Sequence, residues 1–204
     1  TSYNSADQEV FQRYIKAAFH EKYILNDPRY LEWQYGSNLY LIKNGDEIIG
    51  HFGFRDISYK IYGTRTMVRV LMNLFINENY RLTGVAGLIA TKVFDTKNSI
   101  VVSGYTALAQ KLFSHLRNNW KNGGILRRFV AVLDAQAPLL EGYTIPCMAV
   151  FGISQEGVVI SREVPSQSFI DELWKRVNNR YLITVERNFA YINWRFITHP
   201  FFSY

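Results

Sequence analysis

Met67-Val68-Arg69-Val70-Leu71-Met72-Asn73-Leu74-Phe75-Ile76 runs directly into Asn77-Glu78-Asn79-Tyr80-Arg81-Leu82-Thr83-Gly84-Val85-Ala86, and these twenty residues decide how the chain is read. The first ten are nearly all apolar, which predicts a central strand buried on both faces. Val85, Leu88, Ile89 and Val93 then recur at helical spacing. Strand, tight turn and helix therefore follow one another without a break. The first amides of such a helix have no intrahelical partner, and its dipole is positive there, so the turn is suited to an anion. Gly84 and Ala86 carry little or no side chain, which lets a bulky phosphate-bearing ligand approach the backbone.

Working outward, Val10, Phe11, Tyr14, Ile15, Ala18 and Phe19 predict an amphipathic helix over residues 7–20, with Asp7 near its start. Residues 39–43 and 47–54 are β-rich runs around Asn44-Gly45-Asp46, which predicts a hairpin. Residues 59–64 read as a further turn. After the central strand and its helix, which runs to about Asp95, Ser99 to Ser103 predicts a short strand. Leu108, Leu112, Leu116 and Trp120 stand four apart and predict a helix over 105–119, ended by Asn122-Gly123-Gly124. Leu126 to Leu133 and Ile145 to Ile153 read as two closing strands. The order of elements is an α+β plan with a mixed sheet.

Composition limits the function classes. Apolar residues make up 48% and charged residues 20%, which is the balance of a folded domain. The net charge of +6 suits a polyanionic ligand, but Lys and Arg are scattered and no basic run reaches five, so nucleic acid is not the expected partner. Cys147 stands alone, and His20, His51, His115 and His199 lack ligand-like spacing, so no metal is expected. No apolar run approaches the length of a membrane span and no signal peptide opens the chain, which makes the cytoplasm the default expectation.

Ile76, Tyr80, Arg81, Gly84, Val85 and Ala86 fall on positions of the pattern V-x-P-x-Y-R-G-x-G-h-G/A, so the turn resembles the acyl-CoA loop of the GCN5-related N-acetyltransferases (GNAT). Glu78 stands where that pattern has Pro, and Leu82 where it has its first Gly. The order of elements over residues 3–153 is also similar to the GNAT plan. The resemblance implies a mostly antiparallel twisted sheet, flanked by helices and splayed at its central strands. It implies that the backbone of Arg81, Leu82, Thr83, Gly84, Val85 and Ala86 cradles the pyrophosphate of acetyl-CoA or another acyl-CoA. It further implies that the main chain of Leu74, Phe75 and Ile76 holds the thioester and pantetheine, in the gap beside the Ser99–Ser103 strand.

Direct acyl transfer also needs a proton acceptor and a proton donor. Glu78, near the strand end, is the candidate base, directly or through water; its other reading is an exposed turn carboxylate near a helix N-terminus. His51 either reaches the acceptor or is a sheet histidine, and Asn73 and Asn77 are expected to hydrogen-bond at the rim of the strand. The family often carries a Tyr late in the second helix to reprotonate the thiolate, and the matching position here is Phe113. Tyr105 is then the candidate donor, with Ser103, Ser114 and His115 near it. The acceptor is expected to be a primary amine of a small molecule or amino sugar.

Tyr30-Leu31-Glu32-Trp33-Gln34-Tyr35-Gly36-Ser37-Asn38 recurs as Tyr191-Ile192-Asn193-Trp194-Arg195-Phe196-Ile197-Thr198-His199, each time after an amphipathic helix. This resembles the tandem-domain branch of the superfamily: residues 1–155 as an acyl-CoA N-acyltransferase-like domain, and 156–204 as linker, helix and Trp motif opening a second copy. The repeat predicts that the gene continues past Tyr204, and it leaves a second GNAT-like domain or a homodimer as partners. Two alternatives remain: a non-catalytic acyl-CoA-binding or scaffolding domain, favoured by Phe113, and an aminoacyl-tRNA-dependent transferase, disfavoured by the scattered charge.

Overall fold

A computed structural model describes residues 1–81, 83–94, 99–103, 106–116 and 163–201. The two expected closing strands, and the site residues Leu82 and Tyr105, lie outside the described residues. Apart from Glu163 and Val164, the described residues belong to one compact unit formed by Thr1–Trp120 and Pro165–Tyr204.

Helix α1 (Gln8–Ala18) follows a single turn whose Asn4 and Asp7 form a capping box, and Phe11 and Ile15, one turn apart, are wholly buried beneath it. Helix α2 (Pro28–Tyr35) begins where the Asp27 carboxylate accepts from Arg29 N–H at 2.8 Å, with Pro28 at the first position. It ends at Gly36, whose φ of +54° with ψ of −123° is a conformation that favours glycine. The first aromatic motif is thus a helix and its exit.

The sheet runs β1 (Leu39–Asn44), β2 (Glu47–Ile61), β3 (Thr64–Ile76), β4 (Ser99–Val102), with β5 (Ile183–Val185) pairing the far half of β2. Every pairing is antiparallel except β3 with β4. The expected hairpin closes at Gly45-Asp46. The turn expected over 59–64 shrinks to Tyr62-Gly63, because φ values of +46° and +85° make a two-residue turn whose twist matches its strands. β3 also departs from expectation: of its residues only Val68 and Leu71 are buried. Its thirteen residues outrun β4, which covers four of them, so much of the strand is half-covered.

Alternation along β1 and β2 divides the core between two faces. Leu39, Leu41 and Ile48 join Phe11, Ile15, Leu25, Leu31 and Tyr35 under α1 and α2. Phe52, Phe54 and Leu71 pack with Ile89, Val93 and Phe113 of α3 (Val85–Phe94) and α4 (Ala107–Leu116). The result is an α+β fold, a mixed and mostly antiparallel sheet flanked by helices.

The carboxyl-terminal segment packs on this same unit. Helix α5 (Gln167–Val177) is capped by the Ser166 hydroxyl, which accepts from Phe169 N–H. β5 follows, and α6 (Phe189–Ile192) runs into a π turn, Asn193–Ile197. Here the two copies of the aromatic motif meet. Trp33 Nε1 donates to Trp194 O at 2.7 Å and Trp194 Nε1 donates to Trp33 O at 3.0 Å, with the rings stacked 5.4 Å apart. Each copy also keeps its own Tyr–Trp pair, Tyr30–Trp33 at 5.5 Å and Tyr191–Trp194 at 5.8 Å.

Candidate active site

The site is made by two irregularities in β3. The first is a bulge. Gly50 pairs with Ile76 and His51 with Phe75, but Gly53 pairs with Met72, so Asn73 and Leu74 together oppose Phe52. Asn73 takes up the extra length at φ +49°, a left-handed conformation that Asn tolerates better than most residues. Helix α2 braces it from below. The Tyr35 ring packs against Gly53, where an added Cβ would stand 2.4 Å from Tyr35 Cε1. The Tyr35 hydroxyl accepts from Asn73 Nδ2, and Gln34 Nε2 donates to the Met72 sulfur. Arg55 Nη1 in turn donates to Trp33 O at 2.6 Å, which anchors the end of α2.

The second irregularity is a parting of strands. The parallel ladder ends at Leu71 and Val102, while β3 continues for five residues. Among the described residues, no strand pairs with Met72–Ile76 on that side. A cleft of about 250 Å³ opens there, walled by Met72–Phe75, by Val102 and Ser103, and by Phe113 of α4, with Phe19 and Tyr23 completing it. The carboxyl ends of parallel strands are where open sheets collect ligands, because helices begin and backbone groups are left unpaired there. Main-chain groups on a strand edge that no described strand pairs can serve a carbonyl ligand, and they need no particular side chain.

His51, opposite Phe75, forms the floor of the cleft. It is wholly buried among the rings of Phe11, Tyr14, Phe19 and Phe75. Its Nδ1 lies 3.2 Å from the Tyr14 hydroxyl, while its Nε2 has no hydrogen-bond partner among the described residues. Burial disfavours the imidazolium and lowers the His51 pKa to about 4, so the ring is neutral near pH 7. Burial likewise pushes the Tyr14 phenol up.

The turn after β3 is stapled rather than open. Arg81 Nε donates to Ile76 O at 3.1 Å, Arg81 Nη1 pairs with the Glu78 carboxylate at 3.0 Å, and the guanidinium lies over Phe75. Asn77 caps the turn by accepting from Asn79 N–H. Gly84, at φ +82°, enters α3, and among the described residues no atom beyond its chain neighbours lies within 4 Å of where its Cβ would be. That open face and the helix start beyond it fit a phosphate group.

Of the expected site residues, Leu74 and Phe75 line the cleft; Ile76 adjoins it with its carbonyl engaged by Arg81. Thr83, Gly84, Val85 and Ala86 form the turn and helix start. Glu78 sits on the turn with its side chain 80% exposed, paired to Arg81 and outside the cleft lining. Asn73 works inside the strand, at the bulge, and Asn77 at its rim. Sequence reasoning missed Phe19, Tyr23, Tyr35 and Gly53. A glycine inside a β run signals close backbone approach, so Gly53 was open to discovery. Among the described residues, no cluster of three or more His, Cys, Asp or Glu is placed to hold a metal, and no helix is long and apolar enough to cross a membrane.

No protein-family profile matches the chain, and no curated protein sequence does. Solved structures do. AAC(6')-Iy, solved with the bisubstrate analog CoA-S-monomethyl-acetylneamine, is 13% identical with a TM-score of 0.49, covering 65% of this chain and 96% of that one. A GCN5-related N-acetyltransferase from Kribbella flavida is 12% identical with a TM-score of 0.43 over 54% of this chain. One from Anabaena variabilis is 15% identical with a TM-score of 0.46 over 56% of it. The matches span only 31% and 30% of those two longer chains. In fold, the chain is similar to GNAT-family N-acetyltransferases.

Proposed function

We propose that the chain is an acyl-CoA-dependent N-acyltransferase of the GNAT superfamily, passing an acyl group, acetyl in the first instance, to a primary amine of a small molecule by direct transfer. The observation that carries this reading is the stretch of β3 beside the cleft, Met72–Ile76, which outruns β4 and has no strand on that edge among the described residues. In the transfer, the neutral amine nitrogen attacks the thioester carbonyl carbon. The C–N bond forms, the C–S bond breaks, the ammonium proton passes through water to the Glu78 carboxylate, and the departing thiolate takes a proton from the Tyr105 phenol; exchange with solvent resets both groups. Main-chain groups of Leu74, Phe75 and Ile76 hold the thioester and pantetheine. The backbone of Arg81 to Ala86 takes the pyrophosphate, with Gly84 giving it room. Glu78, from its exposed turn, reaches the ammonium only through water, and Tyr105 is the proposed proton source for the thiolate. Residues 156–204 are proposed to open a second GNAT-like unit, a reading supported by the paired Trp motifs.

One observation favours a second reading, a non-catalytic acyl-CoA-binding domain: Phe113, buried against the cleft, has no proton to give. Calorimetric titration with acetyl-CoA, with Gly84→Trp alongside and thermal melting as a folding control, tests both. Binding that the substitution abolishes supports the loop, and amine-dependent thiol release separates enzyme from binder. Binding unchanged in folded Gly84→Trp removes the loop from either reading.

A further inference from the structure

A cleft that takes a thioester must also seat an amine, and its lining restricts which one. Among the described residues that line it there is no Asp, Glu, Lys or Arg. His51 adds no charge either, since its environment holds it neutral. A second ammonium or a carboxylate on the acceptor would therefore enter without a counter-ion, which costs free energy to the extent that it leaves water. The same lining is rich in rings. Phe19 stacks on Tyr23 at 4.4 Å and 9°, and meets Phe75 at 4.8 Å; Phe75 lies over His51 at 5.9 Å and 24°.

Two details set this group apart from ordinary core filling. Phe19 stands just past the end of α1, with φ −128° and ψ −95°, and is 36% exposed, so a large ring is held at the cleft without being covered. His51 Nε2, wholly buried at the floor, lacks a partner among the described residues. A buried nitrogen left unpaired costs free energy until something completes it. Rings on the walls and one polar position on the floor match an amine attached to an aromatic body.

We propose that Phe19, Tyr23 and Phe75, with His51 beneath them, form an acceptor subsite that selects a monoamine with an aromatic or arylalkyl body and no second charge. The inference rests on the acyltransferase reading of the same cleft and narrows it, away from amino sugars and polyamines. Phe19 and Tyr23 are the specificity-determining residues: they stack on the acceptor and take no part in holding the acyl-CoA.

The test uses the full chain with acetyl-CoA and compares phenethylamine, spermidine and glutamate, reading thiol release and, separately, calorimetric binding of phenethylamine. Phenethylamine is expected to lead by at least tenfold in kcat/KM. Phe19→Ala should raise its KM about tenfold, a ring-stacking contact plus the apolar area lost with it, while the KM for acetyl-CoA stays put. Phe19→Tyr should restore the wild-type value, and Tyr23→Leu gives a second variant that keeps apolar volume. Preference for spermidine or glutamate overturns the inference, as does an unchanged phenethylamine KM in Phe19→Ala. Should no amine release thiol, the acyltransferase reading fails alone if phenethylamine still binds and Phe19→Ala weakens that binding about tenfold. Both fail if it does not bind.

Discussion

The two halves of β3 are built from similar residues and have different fates. Val68-Arg69-Val70-Leu71 is laddered on both sides, to β2 and to β4, and buries Val68 and Leu71. Met72-Asn73-Leu74-Phe75-Ile76 is, among the described residues, laddered to β2 alone, and its other edge opens on the cleft. Strand propensity does not separate them, since both are rich in residues that favour strands. What separates them is context: β4 stops at Val102, and a bulge held by Asn73, Gly53 and Tyr35 displaces the second half. A strand thus serves as scaffold and as binding surface according to how far its neighbours accompany it.

The comparison breaks most severely at Gly53. Gly53→Val drives a side chain into the Tyr35 ring and is expected to cost about 3 kcal/mol in urea unfolding, with loss of acetyl-CoA binding in whatever remains folded. Full stability would mean the bulge is not braced by Tyr35. Next comes His51, which lies beneath the splayed half and faces the Tyr14 hydroxyl. Its folded pKa of about 4 lies below the ordinary 6.5, so the unfolded chain binds the extra proton between those values. The linked stability is complete above pH 6.5 and falls as pH drops toward 4, by about 2.5 kcal/mol from pH 7.5 to 4.5. Stability profiles of wild type and His51→Gln should differ by that amount; parallel profiles would contradict the buried imidazole.

At the bulge, Asn73→Ala removes a hydrogen bond and leaves a left-handed residue that resists the conformation, together about 2 kcal/mol. Asn73→Gly relieves the second cost and should lose about 1 kcal/mol. Equal losses would show that the positive φ carries no strain. The smallest effects lie farthest from the cleft. Trp33→Phe and Trp194→Phe each delete one of two reciprocal hydrogen bonds and should each cost about 1 kcal/mol, equally and without change in acetyl-CoA affinity. A marked inequality would end the symmetric description of that contact.

Much of this was legible in local pattern. The apolar run, the Gly turn and the following helix lie within one stretch, and each is a short-range signal. The hairpin at Gly45 and the repeat of the Trp motif were readable for the same reason. Helix α2 carries its start signal in Asp27-Pro28, a capping side chain followed by a first-turn proline, just before the aromatic motif that marks the repeat. The bulge was hidden: nothing within Met72–Phe75 says that Tyr35, thirty-eight residues before Asn73, will fill the space over Gly53 and receive its side chain. Phe19 and Tyr23 were hidden too, since they reach the cleft by tertiary packing and not by any spacing. Glu78 drew attention through its position in the chain, and its exposure depends on the Arg81 pairing that the motif alone does not reveal.

The reciprocal contact between Trp33 and Trp194 has a consequence for assembly. Each motif offers one donor and one acceptor and receives the same in return, so the contact looks alike from either side. Two-fold dimers are joined by contacts of this kind, in which a surface recognises itself. Here both partners belong to one chain and lie 161 residues apart in its sequence. Each motif therefore spends on the other the donor and the acceptor with which it would otherwise meet a second copy, and the self-matching surface is closed from within.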